Sequence, residues 1–517
     1  MRDGTILLAD HLAPTGTAKG TILVRSPYGW NFLTTAIFGS FFARNGYHVV
    51  LARTRGTFGS GGKFEPVVHE ESDGADTAAW LRQQPWFAGN LATLGGSYFG
   101  FTQWALLMDP PPELVTSVIW AGPADFRRAL YAQGAFNLEL ALTWSEQLAH
   151  QEDFSTLRSM VRGSRVERRV TPALSTLPLK EAADEITGHR WSWFSEWATR
   201  RDPDDSFWSS YNVNSALDRV STPVMLAGGW QDLFITDTLE QYQHLRRRGV
   251  DVAMTVGPWT HGEMGTKGVA RLLGEALDWL DKHMIGATSS RPSPVSICVA
   301  GDNTWRNLEA WPPPTTAHVV HPHADGALAL TPAAAGEGAT FCYDPSDPTP
   351  ALGGRMLTPS RSGYQDDSAL AMRDDTVSFT GAPLDSALEV IGTPYLEVNH
   401  TSDNPHCDLF VRVSDVSPDG KSRNVTDGFV RLDRLPNHPL VLHLDPTAYR
   451  FEVGHRLRLH MAGGAFPHYE RHLGTAESLG SSTTLVATHH TIDLASARLV
   501  LPAVPSKPGG SDDSHVA

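Results

Sequence analysis

The chain opens on short apolar runs bounded by turn residues. Gly20–Arg25 (GTILVR) and Tyr47–Ala52 (YHVVLA) are almost unbroken in apolar character, the pattern of strands buried on both faces. Between them Phe32–Asn45 is apolar enough for a helix that stops at Asn45-Gly46. Glu70–Gln84 begins acidic and runs through Ala78, Ala79, Trp80 and Leu81, a helix with its acids in the first turn, where the dipole favours them. LATLGG (Leu91–Gly96) gives a strand, Phe99–Met108 a helix ended by Pro110-Pro111-Pro112, and VTSVIWAG (Val115–Gly122) another strand. Strands alternating with helices in this way predict an α/β core built on a parallel sheet with helices on both faces.

From residue 125 to 219 the texture becomes helical and rich in Arg and Trp, in ALTWSEQLAH, RWSWFSEWATR and DDSFWSSYNV. This reads as a helical cap inserted over the sheet. Strand runs resume in TPVMLAGG and VDVAMTVG, and Val269–His283 closes the core with an amphipathic helix. ATSSRPSP then reads as a linker and WPPPTT as a rigid extended stretch. Beyond it come TVSFTG, LEVIG, YLEVNH, DLFVRVSDV, PLVLHL, HRLRLHM and STTLVAT, short β-like runs separated by Gly, Pro, Asp and Asn. They predict an all-β sandwich of jelly-roll type. The expected organisation is core 1–124, cap 125–219, core again 220–290, β-sandwich 291–505, and a disordered tail 506–517.

Charge narrows the partners. The 57 acidic and 42 basic side chains leave a formal charge of −15, which disfavours nucleic acid as a partner. The apolar stretch Ile6–Ala9 is too short for a signal-peptide core, and no run of about 18 apolar residues offers a membrane span. Cys298, Cys342 and Cys407 are three isolated thiols without a CxxC pair, which fits a reducing compartment and a cytoplasmic location. Whether the chain forms a homo-oligomer is left open by the sequence.

Three loops carry the chemistry. In LATLGGSYFGFTQW a strand ends in two glycines, Ser97 follows, and a helix begins at once. That is the layout of a nucleophile elbow, which lifts a serine hydroxyl above the sheet edge. It departs from G-x-S-x-G, because Phe99 holds the last glycine's place and Gly100 comes one residue later. A serine opening a helix is also a common N-cap, which is the competing structural explanation. Asp232 follows the strand ending at Gly228-Gly229, and His261 follows VAMTVG. Each residue taken alone has an ordinary turn or surface explanation. In the order Ser, Asp, His, each after its own strand, they predict a catalytic triad on an α/β-hydrolase sheet.

These segments resemble the cocaine-esterase-like branch of the X-Pro dipeptidyl-peptidase (S15) hydrolases. The resemblance rests on MRDGTILLADHLAP, RSPYGW, RGTFGSGGKF, GGSYFGFTQW, GGWQDLF, GPWTHG, GDNTWRNLEAWPPP and AYRFEVGHRLRLHMAGGAFPHY. It implies an α/β-hydrolase core with a helical cap and a jelly-roll domain. It further implies Ser97 as nucleophile, His261 as base and Asp232 as its orienting acid. The Tyr28 hydroxyl and the Tyr98 backbone N–H become the oxyanion donors, and Phe234 an aromatic lining the acyl pocket. Trp144, among the cap tryptophans Trp144, Trp191, Trp193 and Trp197, is a further candidate for the pocket wall. Two departures stand out. Arg53 occupies a position where the family often has Asp, and the chain opens at Met1-Arg2-Asp3-Gly4, where relatives often carry an earlier strand.

The expected activity is hydrolysis of a small-molecule carboxylic ester through an acyl-serine, with neither metal nor organic cofactor. Two rival readings recognise an amine: an X-Pro dipeptidyl peptidase and an α-amino acid ester hydrolase. Both need a carboxylate for the substrate's α-amine, for which the cap offers Glu139, Glu146 and Glu196. A rival of another class is an inert core whose β-sandwich binds a ligand. RGTFGSGGKF is no phosphate loop, since Thr57 and Phe64 stand where Gly and Ser or Thr are required. His321 with His323, and His489 with His490, lack metal-ligand spacing and read as solvated loops or strand ends.

Overall fold

The computed structural model describes residues 1–132, 134–152, 162–187, 193–434, 439–477 and 480–505. The apolar runs of the first third stack into one nine-stranded sheet. Its order is Ala9–Leu12, Tyr47–Arg53, Gly20–Ser26, Leu91–Gly96, Leu114–Trp120, Val224–Gln231, Val252–Thr260, Val295–Val299 and Thr304–Leu308. The two outer strands are antiparallel to their neighbours and the seven between them are parallel. Ile22, Val24, Val49, Leu51, Leu226 and Met254 have no exposed surface, which explains the unbroken apolar runs.

The sheet is longer than the sequence suggests. ATSSRPSP is a connection as expected, but Val295–Val299 then pairs in parallel with Val252–Thr260 and carries Thr304–Leu308 with it. Sheet pairing therefore continues past residue 290, the boundary that linker composition suggests, because VSICV is itself a fully buried strand. Helices pack on this sheet. Phe32–Arg44 is one continuous helix with a π-helical turn at Ala36–Ser40, and the Trp279 indole of helix Val269–Ile285 donates to Thr116 Oγ1 at 2.8 Å. Arg53 pairs with Asp10 on the adjacent strand at 2.7 Å.

Between Leu114–Trp120 and Val224–Gln231 the chain forms the helices Phe126–Leu130, Leu138–Ala149, Arg162–Ser175, Leu179–Thr187, Trp193–Thr199 and Ala216–Arg219, with one small β-ribbon, Tyr131–Ala132 with Ala135–Phe136. Trp144 and Trp197 stack at 5.6 Å between ring centres and Phe126 packs on both, so the tryptophans make the cap's core. Trp191 lies outside the described residues.

The C-terminal third is all β. One group of strands contains Ser422–Leu432, Cys407–Val416, Arg456–Ala462, Thr376–Gly381 and Ala327–Ala329. The other is built around the long strand Thr488–Ala503, which pairs with Gly338–Tyr343, Tyr395–Ser402 and Thr316–Pro322. STTLVAT does not form the strand its composition suggests: Leu485 and Val486 are exposed, and pairing begins only at Thr488. The expected tail 506–517 lies outside the described residues. Among the described residues no helix is long and apolar enough to cross a membrane.

The histidine pairs divide. His321 Nδ1 and His323 Nε2 donate to the backbone carbonyls of Ala497 and Thr331, and His489 lies on the surface beside Asp403. His490 is a correction: it is completely buried rather than solvated, because successive residues of a strand face opposite sides.

Candidate active site

Leu91–Gly96, Val224–Gln231 and Val252–Thr260 run parallel, so the loops that follow them leave the sheet at its carboxyl edge. Ser97 stands between strand and helix with φ 58° and ψ −125°. For a residue with a Cβ that conformation costs on the order of 1–3 kcal/mol and persists only where the surroundings fix it. Two glycines fix it here. A Cβ on Gly95 would fall 2.4 Å from the Phe99 Cβ, and one on Gly100 would fall 2.4 Å from the Gly122 Cα. Gly100 thus provides the close helix approach that the last glycine of G-x-S-x-G would give, which accounts for the displaced motif. Ser97 makes no side-chain cap to its helix. Its hydroxyl lies 2.9 Å from His261 Nε2 instead, which removes the N-cap explanation.

His261 opens the short helix His261–Met264, fixed by a capping box between Thr260 and Glu263. Its Nδ1 lies 2.5 Å from Asp232 Oδ1. Asp232 has no exposed surface, and its second oxygen accepts the Phe234 N–H at 2.9 Å. The Phe234 ring meets the imidazole edge-on at 5.4 Å. The three residues singled out in the sequence therefore form one hydrogen-bonded chain.

The remaining candidates surround it. Tyr98 opens the helix Tyr98–Leu106, and its backbone N–H occupies the first helical position, where no intrahelical carbonyl reaches. Its side chain serves a different purpose. The phenol donates to Glu70 Oε1 at 2.7 Å and accepts the Val67 N–H at 2.8 Å, while Glu70 pairs with Arg25 at 2.6 Å. Burial pushes the Tyr98 phenol well above its ordinary pKa, so it stays a donor; burial also raises the Glu70 carboxyl, against the Arg25 charge that lowers it. This network anchors Val67, a pocket residue held at φ 65°. The Tyr28 hydroxyl accepts the Trp144 indole N–H at 2.9 Å.

Ser97 and His261 open into a cavity of about 430 Å³. Tyr28, Tyr98, Phe234 and Trp144 all line it. Sequence reasoning missed Phe99, Phe126, Leu140, Gln147, Leu233 and Leu357. Phe99 stands inside the elbow motif and so carried a signal. Leu357 comes from the β-region and had none. Among the described residues no carboxylate, lysine or arginine lines the cavity. The three cap glutamates are engaged elsewhere. Glu139, fully buried, accepts the N–H groups of Leu357 and Thr358 at 2.8 Å each; Glu146 pairs with Arg169 and Glu196 with Arg200.

The family model of the X-Pro dipeptidyl-peptidase (S15 family) matches residues 3–263, and that of the X-Pro dipeptidyl-peptidase C-terminal non-catalytic domain matches residues 288–498. A cocaine esterase of Rhodococcus sp. is 28% identical, over 98% of this chain and 97% of that one. Two solved structures share the fold across nearly the whole chain. An α-amino acid ester hydrolase superposes with a TM-score of 0.82 at 19% identity, covering 98% of this chain and 95% of its own. An aminopeptidase from a marine sediment Thaumarchaeota archaeon gives 0.81 at 22%, covering 97% and 95%. With the serine elbow, the histidine and the buried aspartate already in one chain of hydrogen bonds, these matches place the protein in the X-Pro dipeptidyl-peptidase (S15) family.

Proposed function

We propose that this chain hydrolyses carboxylic esters of neutral, apolar acyl groups through an acyl-serine intermediate. The observation that carries this reading is the Ser97–His261–Asp232 chain at the wall of an apolar cavity without a charged lining residue among those described. Likeness to a protein named cocaine esterase over nearly the full length of both chains supports the ester as substrate class.

Ser97 Oγ attacks the ester carbonyl carbon while His261 Nε2 takes its proton. Asp232 holds the imidazole in the tautomer whose Nδ1–H points at the carboxylate and stabilises the imidazolium that forms. The oxyanion receives hydrogen bonds from the Tyr28 hydroxyl and the Tyr98 N–H; loss of one such donor typically costs about 10²–10³ in kcat. The tetrahedral species collapses, the C–O bond to the alcohol breaks, and His261 returns the proton to the leaving oxygen. Water then repeats the attack on the acyl-serine and releases the acid. Phe234 and Trp144 wall the acyl group.

An X-Pro dipeptide or an α-amino ester presents a charged amine, and burying an unpaired ammonium in an apolar cavity is costly. Engagement of Glu139, Glu146 and Glu196 by other partners favours neutral acyl groups over both. We read the C-terminal region as a jelly roll that covers the cap, and take the core as 1–124 with 220–308. Three unpaired cysteines support a reducing, cytoplasmic location.

The test is turnover of p-nitrophenyl esters of graded acyl length by wild type and Ser97→Ala, with alanyl-prolyl-p-nitroanilide as counter-substrate. Ester turnover that disappears in Ser97→Ala is expected. Turnover of the anilide alone would move the protein to the peptidase reading, and unchanged activity in Ser97→Ala would end the serine mechanism. Failure of a fluorophosphonate to label Ser97 would favour an inert core.

A further inference from the structure

The β-region buries two imidazoles and a thiol side by side, far from the serine in sequence and used by no step of the hydrolysis. His400 lies on strand Tyr395–Ser402, His490 on Thr488–Ala503, and Cys407 begins Cys407–Val416. The first two strands are paired, with Ser402 opposite His490, so His400 and His490 sit two positions apart on one face. Cys407 comes from the other group of strands. All three residues are buried, His490 completely.

We propose that His400, Cys407 and His490 form a binding site for one thiophilic transition-metal ion, Zn²⁺ before others, that ties the two strand groups together. One ring nitrogen of each histidine and the Cys407 sulfur lie within 4.8 Å of one another. Donors around one tetrahedral zinc, at about 2.0–2.3 Å from the metal, stand roughly 3.3–3.6 Å apart. His400 Nε2 and His490 Nδ1 are 3.0 Å apart, so this pair opens by only a few tenths of an ångström.

The surroundings supply supports that a metal site uses: His400 Nε2 and His490 Nδ1 face one another. The outer nitrogen of His490 is already oriented by Thr488 Oγ1 at 3.0 Å, and Phe341 stacks on its ring at 4.5 Å. A held outer nitrogen and a packed ring are the supports that metal-binding histidines use. Uptake of M²⁺ forms one metal–thiolate bond and two metal–imidazole bonds and releases the thiol proton of Cys407. One tetrahedral position is left for water or for the Ser402 hydroxyl beside Cys407. N₂S donors of this softness select Zn²⁺, Co²⁺ or copper over Mg²⁺ and Ca²⁺. A second group nearby, His406, Asp433 and His472, has an exposed carboxylate and no thiol.

The experiment titrates Co²⁺ into chelator-treated, tag-free, full-length protein and reads absorbance. One equivalent is expected to give a near-ultraviolet thiolate-to-cobalt band and visible bands of four-coordinate intensity, both erased by Zn²⁺. The thiolate band should vanish in Cys407→Ser and persist in Cys342→Ser, whose wild-type thiol is exposed. His400→Gln should weaken Co²⁺ binding at least about tenfold. Ester turnover within about twofold of wild type confirms that each variant is folded; if Cys407→Ser is not, His400→Gln decides. Absence of a thiolate band, its survival in Cys407→Ser, or saturation through His406, Asp433 and His472 without thiolate character would each overturn the site.

Discussion

The indole N–H of Trp144 donates to the hydroxyl oxygen of Tyr28 at 2.9 Å. An indole nitrogen only donates, so the phenol oxygen is the acceptor in this contact. The contact joins the cap helix Leu138–Ala149 to the turn after Gly20–Ser26, and so lets the insertion set the direction of a core donor. Tyr28→Phe should lower kcat about 10²–10³-fold with little change in KM, since the lost hydrogen bond belongs to the transition state. Trp144→Phe keeps an aromatic wall but releases Tyr28, and should cost about tenfold in kcat. Steady-state kinetics on one p-nitrophenyl ester measures both, and a Tyr28→Phe enzyme as fast as wild type would remove Tyr28 from the oxyanion site.

Asp232 is held from two sides, by His261 Nδ1 and by the Phe234 N–H. Asp232→Asn preserves shape but offers an amide that satisfies only one of these two donors with its oxygen. The imidazole then loses the partner that selects its tautomer, and kcat should fall about 10⁴-fold. Circular dichroism matching wild type, together with that loss, would separate a tautomer effect from unfolding. A fall of less than about tenfold would mean that Asp232 does not orient His261.

The core was legible because burial on both faces leaves an unmistakable pattern. GTILVR, YHVVLA and VAMTVG have no alternation to misread, and glycine pairs within the closing residues of Leu91–Gly96 and Val224–Gln231 precede tight loops at one edge. The β-region was legible in kind more than in detail. Thr488–Ala503 interleaves buried Ile492, Leu494, Ala497 and Leu499 with polar positions, so half its residues hide it. STTLVAT has the composition of a strand but not the pairing. The pocket wall was the least legible part. Leu357 lines the cavity from a segment whose backbone N–H groups, at Leu357 and Thr358, donate to Glu139 in the cap. No local pattern encodes a contact between segments so distant.

That contact predicts a specificity effect. Glu139→Ala leaves two backbone N–H groups and the Thr358 hydroxyl without their acceptor in a buried setting. Each such orphan costs about 1–3 kcal/mol. The 357–358 segment should shift, raising KM severalfold for large acyl groups while changing kcat for acetyl esters little. A lower Tm with an unchanged acyl-length profile would show Glu139 to be purely structural.

Acid sensitivity of the β-region supplies the last test. His460 has no exposed surface; its Nδ1 meets Ser378 Oγ at 2.7 Å and its Nε2 has no hydrogen-bond partner. Burial, with the Arg412 and Arg458 charges adding to it, lowers its pKa from 6.5 to about 3. A histidine whose folded pKa is depressed binds its proton in the unfolded chain first, so unfolding takes up a proton throughout this window. The stability it contributes is complete above pH 6.5 and drains away as pH falls toward 3, by about 1.4 kcal/mol per pH unit. Other groups titrate in the same range, including Asp237, raised to about 7 by burial and therefore opposite in sign. The difference between wild type and His460→Gln isolates the one histidine. Glutamine should cost stability at pH 7.5, and its deficit should shrink by about 1.4 kcal/mol per unit between pH 6 and pH 4.5, followed by urea unfolding. A deficit that stays constant with pH would mean that His460 is protonated in the fold as readily as in the unfolded chain.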